Sequence, residues 1–460
     1  MILTPIRLGW LLVSAALYAL LAYNFERSQF TGLLGLYFLV VWGYSIRVRG
    51  LGGTPEPDNF YLLAGVLFRV ILLLAPPNLS DDYARFVWDG RLLAHGFNPY
   101  LYLPRNLLGT DIAQVANLDS NLFNRLNSPD YYTVYPPLNQ LFFGMAAWLG
   151  GSDLAQSVIW LRVPILLAEI GTIVLLPKLL KRLGHNPNYA LIYALNPLAI
   201  LELTGNIHFE GVVIFFCVWA ASEMTSLGKV SAKQRSLAEM SSLFRSAVPF
   251  ALAVSTKLLP LIGLPLVIRY LGWKKGVFYS ALVVGLTIAT FLPFASLELI
   301  QNIASSVNLY FQKFEFNASI YYLVRAVGYW FTGYNVIGQV GPLLSILTFA
   351  GILWLAFGRQ RWSLGTRLLL TLTLYFAMAT TVHPWYVTLV VAASVFTPFR
   401  YPLVWSALVW GSYATYQREP YVENLWLTAL EYSLVLAAGL WEWWQYRHND
   451  VFCHSEERGI

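Results

Sequence analysis

One stretch decides the fold class of this chain: Ser157-Val-Ile-Trp-Leu-Arg-Val-Pro-Ile-Leu-Leu-Ala-Glu-Ile-Gly-Thr-Ile-Val-Leu-Leu176. It is predominantly apolar, and about 20 such residues are what a helix needs to cross a bilayer. Arg162 and Glu169 are the charged residues within it. Their separation of seven places them on one helix face, which favours a structural pair. The stretch therefore predicts a membrane-spanning helix.

Similar apolar segments recur along the whole chain. They occupy residues 8–25, 30–46, 60–76, 157–176, 189–204, 209–226, 246–270, 276–294, 336–357, 366–381, 384–397, 401–417 and 424–446. We predict helices because open sheet edges do not survive in lipid, and because the alternation of a membrane barrel is missing.

Composition supports this prediction. The chain has 460 residues, of which 57% are hydrophobic and 12% are charged, and its mean hydropathy is +0.56. Soluble domains carry about 25% charged residues. These values exclude a soluble enzyme, a coiled coil and a disordered scaffold, and they predict an all-α polytopic membrane protein.

Cysteine content and net charge limit the partners. Cys217 and Cys453 are too few for a disulfide framework, and no Cys/His spacing is typical of a metal site. We therefore expect no cofactor, although His208 and Glu210 leave a divalent ion with Asp82 as an alternative. The net charge of +6 is expected to reflect cytoplasmic loops, not nucleic-acid binding.

The distribution of Lys and Arg predicts the orientation. With a cytoplasmic N-terminus, five basic clusters fall inside, as the positive-inside rule requires. They are Arg47/Arg49, Lys178/Lys181/Arg182, Lys229/Lys233/Arg235, Lys274/Lys275 and Arg359/Arg361. We expect about 11–14 spans in the inner membrane, with both termini cytoplasmic. This requires that Tyr135–Leu149 does not cross fully and that residues 246–270 form two short helices broken at Pro260 and Pro265.

The predicted organisation is a single membrane domain, residues 1–460, with two outer, periplasmic loops at 77–134 and 295–335 and a cytoplasmic tail at 447–460. The first loop contains six of the nine aspartates, namely Asp81, Asp82, Asp89, Asp111, Asp119 and Asp130. A loop of this length in a compact protein is usually functional or disordered. We expect amphipathic helices in both loops.

The most informative segment is Ser80-Asp-Asp-Tyr-Ala-Arg-Phe-Val-Trp-Asp-Gly-Arg-Leu-Leu-Ala-His-Gly-Phe-Asn-Pro-Tyr100. Ser80 or Asp81 can cap a helix that ends at Gly96. Asp82, Arg85 and Asp89 then share one face. We expect this helix to lie in the membrane interface through Phe86, Leu92 and Leu93. A carboxylate there is suited to general-base catalysis, or is simply a solvated charge.

Together with later motifs, this segment resembles the polyprenyl-phosphomannose-dependent mannosyltransferases of the GT-C superfamily. The further motifs are Tyr135-Pro-Pro-Leu138, Gly205-Asn-Ile-His-Phe-Glu-Gly211, Thr256-Lys-Leu-Leu-Pro260 and His383-Pro-Trp-Tyr386. They occur in the family's order over residues 80–390, although the second has His-x-Glu spacing and three predicted spans, not one, precede the first loop.

The resemblance implies a GT-C-like bundle that transfers a sugar, with inversion, from a polyprenyl-phosphate donor on the outer face. It implies Asp82 as the base that deprotonates the acceptor, with Asp81 as the alternative. The predicted ligands of the donor phosphate are Lys257, His383, Arg85 and Arg91. The predicted ligands of the sugar or acceptor are Asp89, Trp88, Tyr135, Asn206, His208, Glu210, Trp385 and Tyr386.

Each assignment has a structural alternative. Lys257 lies deep in an apolar run, where a charge is costly and therefore indicates function, but it could be paired with a glutamate. His383 could cap backbone groups, and Trp385 and Tyr386 could belong to an interfacial aromatic belt. The second loop, with Asn308–Tyr322, suits a lid over a lipid-linked substrate or an interfacial helix.

Hexosyl transfer, with mannose preferred, is the predicted function. The acceptor hydroxyl belongs to a glycan, a glycolipid or a protein. The alternative is a transporter or flippase of lipid-linked sugars. Transporters place polar groups near the membrane midplane between repeats, whereas here the aspartates cluster in an outer loop.

Overall fold

A computed structural model describes residues 4–51, 56–225, 235–359 and 362–456. Within these ranges the chain is helical, and its β-structure is limited to an isolated parallel bridge between Phe316 and Thr381. The predicted all-α fold is confirmed. Lys229, Lys233 and Arg361, which contributed to the orientation argument, lie outside the described residues.

The described residues of the first half of the chain form eleven α-helices and a π-helix. They are α1 (Pro5–Tyr23), α2 (Phe30–Val48), α3 (Asn59–Ile71), α4 (Asp82–Ala94), α5 (Pro104–Leu107), α6 (Asp111–Val115), α7 (Ser120–Phe123), α8 (Pro137–Gly150), α9 (Leu154–Arg182), α10 (Ala190–Ala194), the π-helix Ala199–Gly205 and α11 (Glu210–Met224).

Ten further α-helices lie in the described ranges from residue 235 onward. They are α12 (Arg235–Thr256), α13 (Leu264–Leu271), α14 (Trp273–Phe291), α15 (Leu297–Lys313), α16 (Ile320–Thr332), α17 (Ile337–Phe357), α18 (Leu364–Met378), α19 (Val387–Ser394), α20 (Tyr401–Leu408) and α21 (Leu425–Glu456). Short 3-10 segments link several of them, including Leu259–Gly263, Pro384–Tyr386 and Val409–Gln417.

Five helices in the described ranges are long and apolar enough to cross a membrane: α1, α2, α9, Trp273–Phe294 and α17. The π-helix and α11 would make a sixth span if they act together. Four shorter apolar helices accompany them. The polytopic membrane architecture fits the prediction, while the number of about 11–14 spans stays a prediction.

The two short segments behave largely as expected. The Tyr-Pro-Pro-Leu motif leads into α8, which has 14 residues and is short for a span. The apolar run 246–270 is broken, because α12 ends at Thr256 and α13 begins at Leu264. The break covers residues 257–263, which include Pro260, whereas Pro265 lies in the first turn of α13. Lys257 directly follows the end of α12, so its backbone is not enclosed in a continuous helix.

Helix α4 is not the interfacial helix that was expected. Phe86 and Leu92 are 2% and 1% exposed, and Phe86 stacks on Phe143 of α8 with ring centroids 4.5 Å apart. Gly90 permits this contact, because a Cβ there would collide with the carbonyl oxygen of Phe143. The apolar face of α4 is therefore buried against α8, whereas Leu93 is half-buried.

A sharp turn joins the π-helix to α11. The two axes differ by 109°, and Ile207 within the turn has φ of 62°. This left-handed conformation is unfavourable for a β-branched residue, and such strain is often held at functional sites by the surrounding structure. Ile207 is fully buried, so packing holds the adjacent His208 in place.

The predicted second outer loop, residues 295–335, folds as α15 and α16. The segment between them is fixed to the chain before His383, since Phe316 N–H donates to the Thr380 carbonyl at 3.1 Å and Val382 N–H donates to the Phe316 carbonyl at 2.8 Å. Residues 307–313 contribute backbone only to the described structure. The loop thereby brings Phe316 next to the His-Pro-Trp-Tyr motif.

Candidate functional site

Asp82 is the first residue of α4 and lies where several segments meet. Its backbone N–H donates to Ser80 Oγ at 3.3 Å, and its Oδ1 accepts a hydrogen bond from Asn127 Nδ2 at 2.8 Å. Burial raises the pKa of Asp82, while the Asn127 hydrogen bond and the charge of Lys257 lower it. A carboxylate with a raised pKa is a better proton acceptor than a free one.

Asp81 has a different environment. Its Oδ2 pairs with Arg27 Nη1 at 2.6 Å, and its side chain is 42% exposed. Arg27 belongs to the connection between α1 and α2, far away in sequence. The two adjacent aspartates are therefore distinguishable: Asp81 carries a countercharge, whereas Asp82 is held by an uncharged amide.

Lys257 follows the last residue of α12. Asn139 Nδ2 donates to the Thr256 carbonyl at 2.9 Å, which satisfies one of the carbonyls left open at a helix end. Lys257 Nζ forms an ion pair with Glu210, which is fully buried, and lies 5.2 Å from the ring centroid of Tyr386. The glutamate-paired alternative is thus correct as to contacts. The ammonium group has three donors, so pairing does not prevent it from binding a phosphate.

Four aromatic rings from three segments form a continuous stack. His208 lies 3.7 Å from Trp385, Trp385 lies 4.4 Å from His383, and His383 lies 4.9 Å from Phe316, all between centroids. Trp385 therefore contacts two imidazoles, and it is 7% exposed. These contacts give Trp385 a role in positioning the two histidines, while its predicted role in binding a sugar or acceptor stays a prediction.

The two histidines differ in their polar contacts. His208 Nδ1 lies 2.9 Å from the Glu202 carbonyl and its Nε2 lies 3.3 Å from Ser80 Oγ. If the carbonyl fixes the proton on Nδ1, Nε2 accepts from Ser80. His383 Nδ1 is buried and has no hydrogen-bond partner among the residues that the structure describes. His383 therefore retains hydrogen-bonding capacity for a ligand.

Asn206 links the turn to the first loop. Its Oδ1 accepts from Leu79 N–H at 3.3 Å, and its Nδ2 donates to Glu202 at 3.2 Å. Glu202 also accepts from Tyr413 at 2.8 Å. These contacts orient the segment before Asp82 through neighbouring side chains, so Asn206 has a positioning role in this structure.

The remaining predicted site residues lie inside the first loop's scaffold. Arg85 pairs with Asp89 at 2.8 Å, and both are buried. Arg91 Nη2 donates to the Ser152 carbonyl at 2.7 Å. Trp88 is fully buried, and the Tyr135 carbonyl accepts from Tyr100 at 2.7 Å. Their contacts are structural, and their roles toward a donor or an acceptor stay predictions.

Several residues of the site were not anticipated. Asn127 reaches Asp82 from a later part of the same loop, and Arg27 reaches Asp81 from the connection between α1 and α2. Neither belongs to a recognisable motif. Glu202 precedes Asn206 by four residues, which is one helical turn and could have indicated the contact. In the described part of the chain, no three His, Cys, Asp or Glu side chains gather as metal ligands.

Comparison with known proteins gives two matches. A family model described as the N-terminal domain of alpha-(1->6)-mannopyranosyltransferase matches residues 5–272. A probable alpha-(1->6)-mannopyranosyltransferase of Mycolicibacterium smegmatis is 28% identical over 273 residues, which are 55% of this chain and 46% of the relative. The match thus spans about half of the relative's length. No solved structure matches the chain significantly. Phe316, His383 and Trp385 lie beyond the residues that the family model matches.

Proposed function

The chain belongs to the alpha-(1->6)-mannopyranosyltransferase family, and on this basis we propose that it transfers mannose from a polyprenyl-phosphate donor to a hydroxyl acceptor. The reaction takes place in a GT-C-like bundle at the periplasmic face of the inner membrane. The acceptor is a glycan, a glycolipid or a protein hydroxyl. Asp82 is the general base.

One observation carries the proposal: the motifs around Ser80, His208, Lys257 and residues 383–386 lie beside one another in the fold. Ser80, beside Asp82, contacts His208, His208 stacks on Trp385, and Lys257 lies close to Tyr386. An inverting transfer from a phosphate can use a base for the acceptor proton, and a cation and an imidazole nitrogen for the phosphate. Asp82, Lys257 and His383 supply these groups. A transporter does not require this convergence at an outer loop.

The proposed step balances without a cofactor. The acceptor oxygen attacks the anomeric carbon from the side opposite the phosphate, and the bond between that carbon and the phosphate oxygen breaks. The hydroxyl proton passes to an Asp82 oxygen. Lys257 and His383 interact with the phosphate that leaves, so that charge developing on its oxygens is stabilised.

The proposal is tested with purified protein in detergent. Synthetic short-chain polyprenyl phosphates carrying mannose, glucose or galactose are supplied with a panel of hydroxyl acceptors, and release of polyprenyl phosphate is measured. We expect turnover with the mannosyl donor, and turnover that is about 10²–10⁴-fold lower with Asp82→Asn. A transporter needs a sealed compartment, so turnover in detergent separates the two functions. Absence of turnover with every sugar, from folded protein, would contradict the proposal.

The proposed side of the membrane is tested by cysteine labelling. Cys217 and Cys453 are first replaced by serine. An impermeant thiol reagent added from the periplasmic side should then label Asn117→Cys but not Lys274→Cys, since both positions are exposed and lie on opposite predicted sides. Reversed labelling would place the Asp82 site in the cytoplasm.

A further inference from the structure

Arg27 brings three distant segments together beside the first loop. Its Nη1 pairs with Asp81 at 2.6 Å, and its Nη2 donates to the Tyr421 hydroxyl at 2.9 Å. The guanidinium lies over the ring of Tyr416 at 4.8 Å from the centroid. A guanidinium with a fixed carboxylate partner and an aromatic face is well oriented, so Arg27 is built into the rim of the site although no motif contains it.

The pairing matters because Asp81 and Asp82 are adjacent carboxylates. Neighbouring like charges disfavour ionisation of one of them. Burial is the largest cause that raises the pKa of Asp82, and the charges of Glu210 and Asp81 add to it. The other groups that act on Asp82 are Asn127 from the loop before α8, Lys257 at the end of α12, Glu210 at the start of α11, Tyr416, and, through Ser80, His208. Arg27 is the group that cancels Asp81.

We infer that Arg27 is a positioning residue that neutralises Asp81 and so keeps Asp82 in the deprotonated form that accepts the acceptor proton. This inference rests on the proposed function of Asp82. It assigns the α1–α2 connection a part in the chemistry, through a residue that touches no substrate. It also explains why two neighbouring aspartates need different partners.

The primary test is the pH dependence of kcat/KM for Arg27→Gln. Without Arg27 the charge of Asp81 is uncompensated, the pKa of Asp82 rises, and less of the base is deprotonated at low pH. We expect the acid limb to move to higher pH, with a loss of about three- to tenfold at a pH below the limb and a much smaller loss above it. Arg27→Lys, which keeps the charge, should shift the limb much less.

A matched control exists in the same loop. Arg105 pairs with Asp130, with Nη2 and Oδ2 2.7 Å apart, and this exposed pair does not act on Asp82. Arg105→Gln should therefore leave the acid limb in place. A limb that moves equally in both variants would mean a general loss of outer-loop order, and would overturn the inference.

The sign reverses when Asp81 is changed. Asp81→Asn should move the acid limb to lower pH. It removes a carboxylate that raises the pKa of Asp82, while the positive charge of Arg27 remains. Arg27→Gln combined with Asp81→Asn should return the limb close to wild type. If neither variant moves the limb while Asp82→Asn is inactive, the inference fails and the proposed function stands. If Asp82→Asn is active, Asp82 is not the base, and that part of the proposed function fails. Melting in detergent verifies folding, and Asp81→Asn serves as the test should Arg27→Gln not fold.

Discussion

Helix α4 carries two aspartates in opposite environments: Asp82 is its first residue, and Asp89 lies in its middle. Asp89 is 1% exposed, and it pairs with Arg85 at 2.8 Å while Gln140 donates to it at 3.3 Å. Asp82 accepts a hydrogen bond from the amide of Asn127, and it is the base in the proton transfer that we propose. One carboxylate is thus fixed by a buried countercharge and the other is left free to react, within seven residues of one motif. A motif therefore identifies a helix that serves the site, and not every polar residue on it.

The largest expected effect is at Asp82. Asp82→Asn keeps the size of the side chain but cannot accept the proton at neutral pH, so turnover should fall about 10²–10⁴-fold. Donor binding should change little, because the base serves the acceptor. Rates and donor affinity are measured on protein whose melting in detergent matches wild type. Near-normal turnover would remove Asp82 from the mechanism and leave Glu210 as the next candidate.

The second largest effect is expected at Asp89, and it is an effect on stability. Asp89→Asn leaves buried Arg85 without its countercharge, and breaking a buried pair typically costs about 3–5 kcal/mol. We expect a clearly lower melting temperature, with activity per folded molecule largely retained. Wild-type melting combined with lost turnover would break the comparison, and would support the sequence-based prediction that Asp89 binds sugar or acceptor.

A third test concerns Lys257, the cation whose charge lowers the pKa of Asp82. Lys257→Met should weaken donor binding about 10–100-fold, the value of a charge-assisted hydrogen bond, with a smaller effect on the acceptor. Asn139→Ala, which removes the amide that caps α12, should weaken it less and should add little in the Lys257→Met background. Ser246→Ala, which removes a buried hydrogen bond elsewhere on α12, is the control. Unchanged donor affinity in Lys257→Met would leave Lys257 with a structural role.

The smallest effect is on the pH profile. Asn127 donates to Asp82 and so lowers its pKa. Asn127→Ala should therefore raise that pKa and move the acid limb of kcat/KM to higher pH, with little change on the alkaline side. Asn121→Ala removes a loop contact to Arg125 instead and should not shift the limb. A shift to lower pH after Asn127→Ala would contradict the described hydrogen bond.

The sequence predicted the helical membrane fold because apolar length and low charge report directly on lipid burial. It also predicted that α4 ends near Gly96, which has φ of 83°, and that residues 246–270 are broken. It misplaced α4 itself, because periodicity distinguishes an apolar face from a polar one but does not tell protein from membrane interface. It could not predict Arg27 beside Asp81 or two histidines around Trp385, because pairing between segments 54 to 394 residues apart leaves no local pattern.

Gly90 lets α4 lie against the Phe143 carbonyl of α8. Asp82 lies eight residues away from this contact, which is about 12 Å along a helix. A larger side chain at Gly90 would have to tilt the helix away from α8, and a tilt of about 5° over that length displaces the far end by about 1 Å. A misplacement of about 1 Å can cost about 10²-fold in rate. The absence of a side chain at Gly90 therefore determines how accurately α4 can place Asp82, the proposed base.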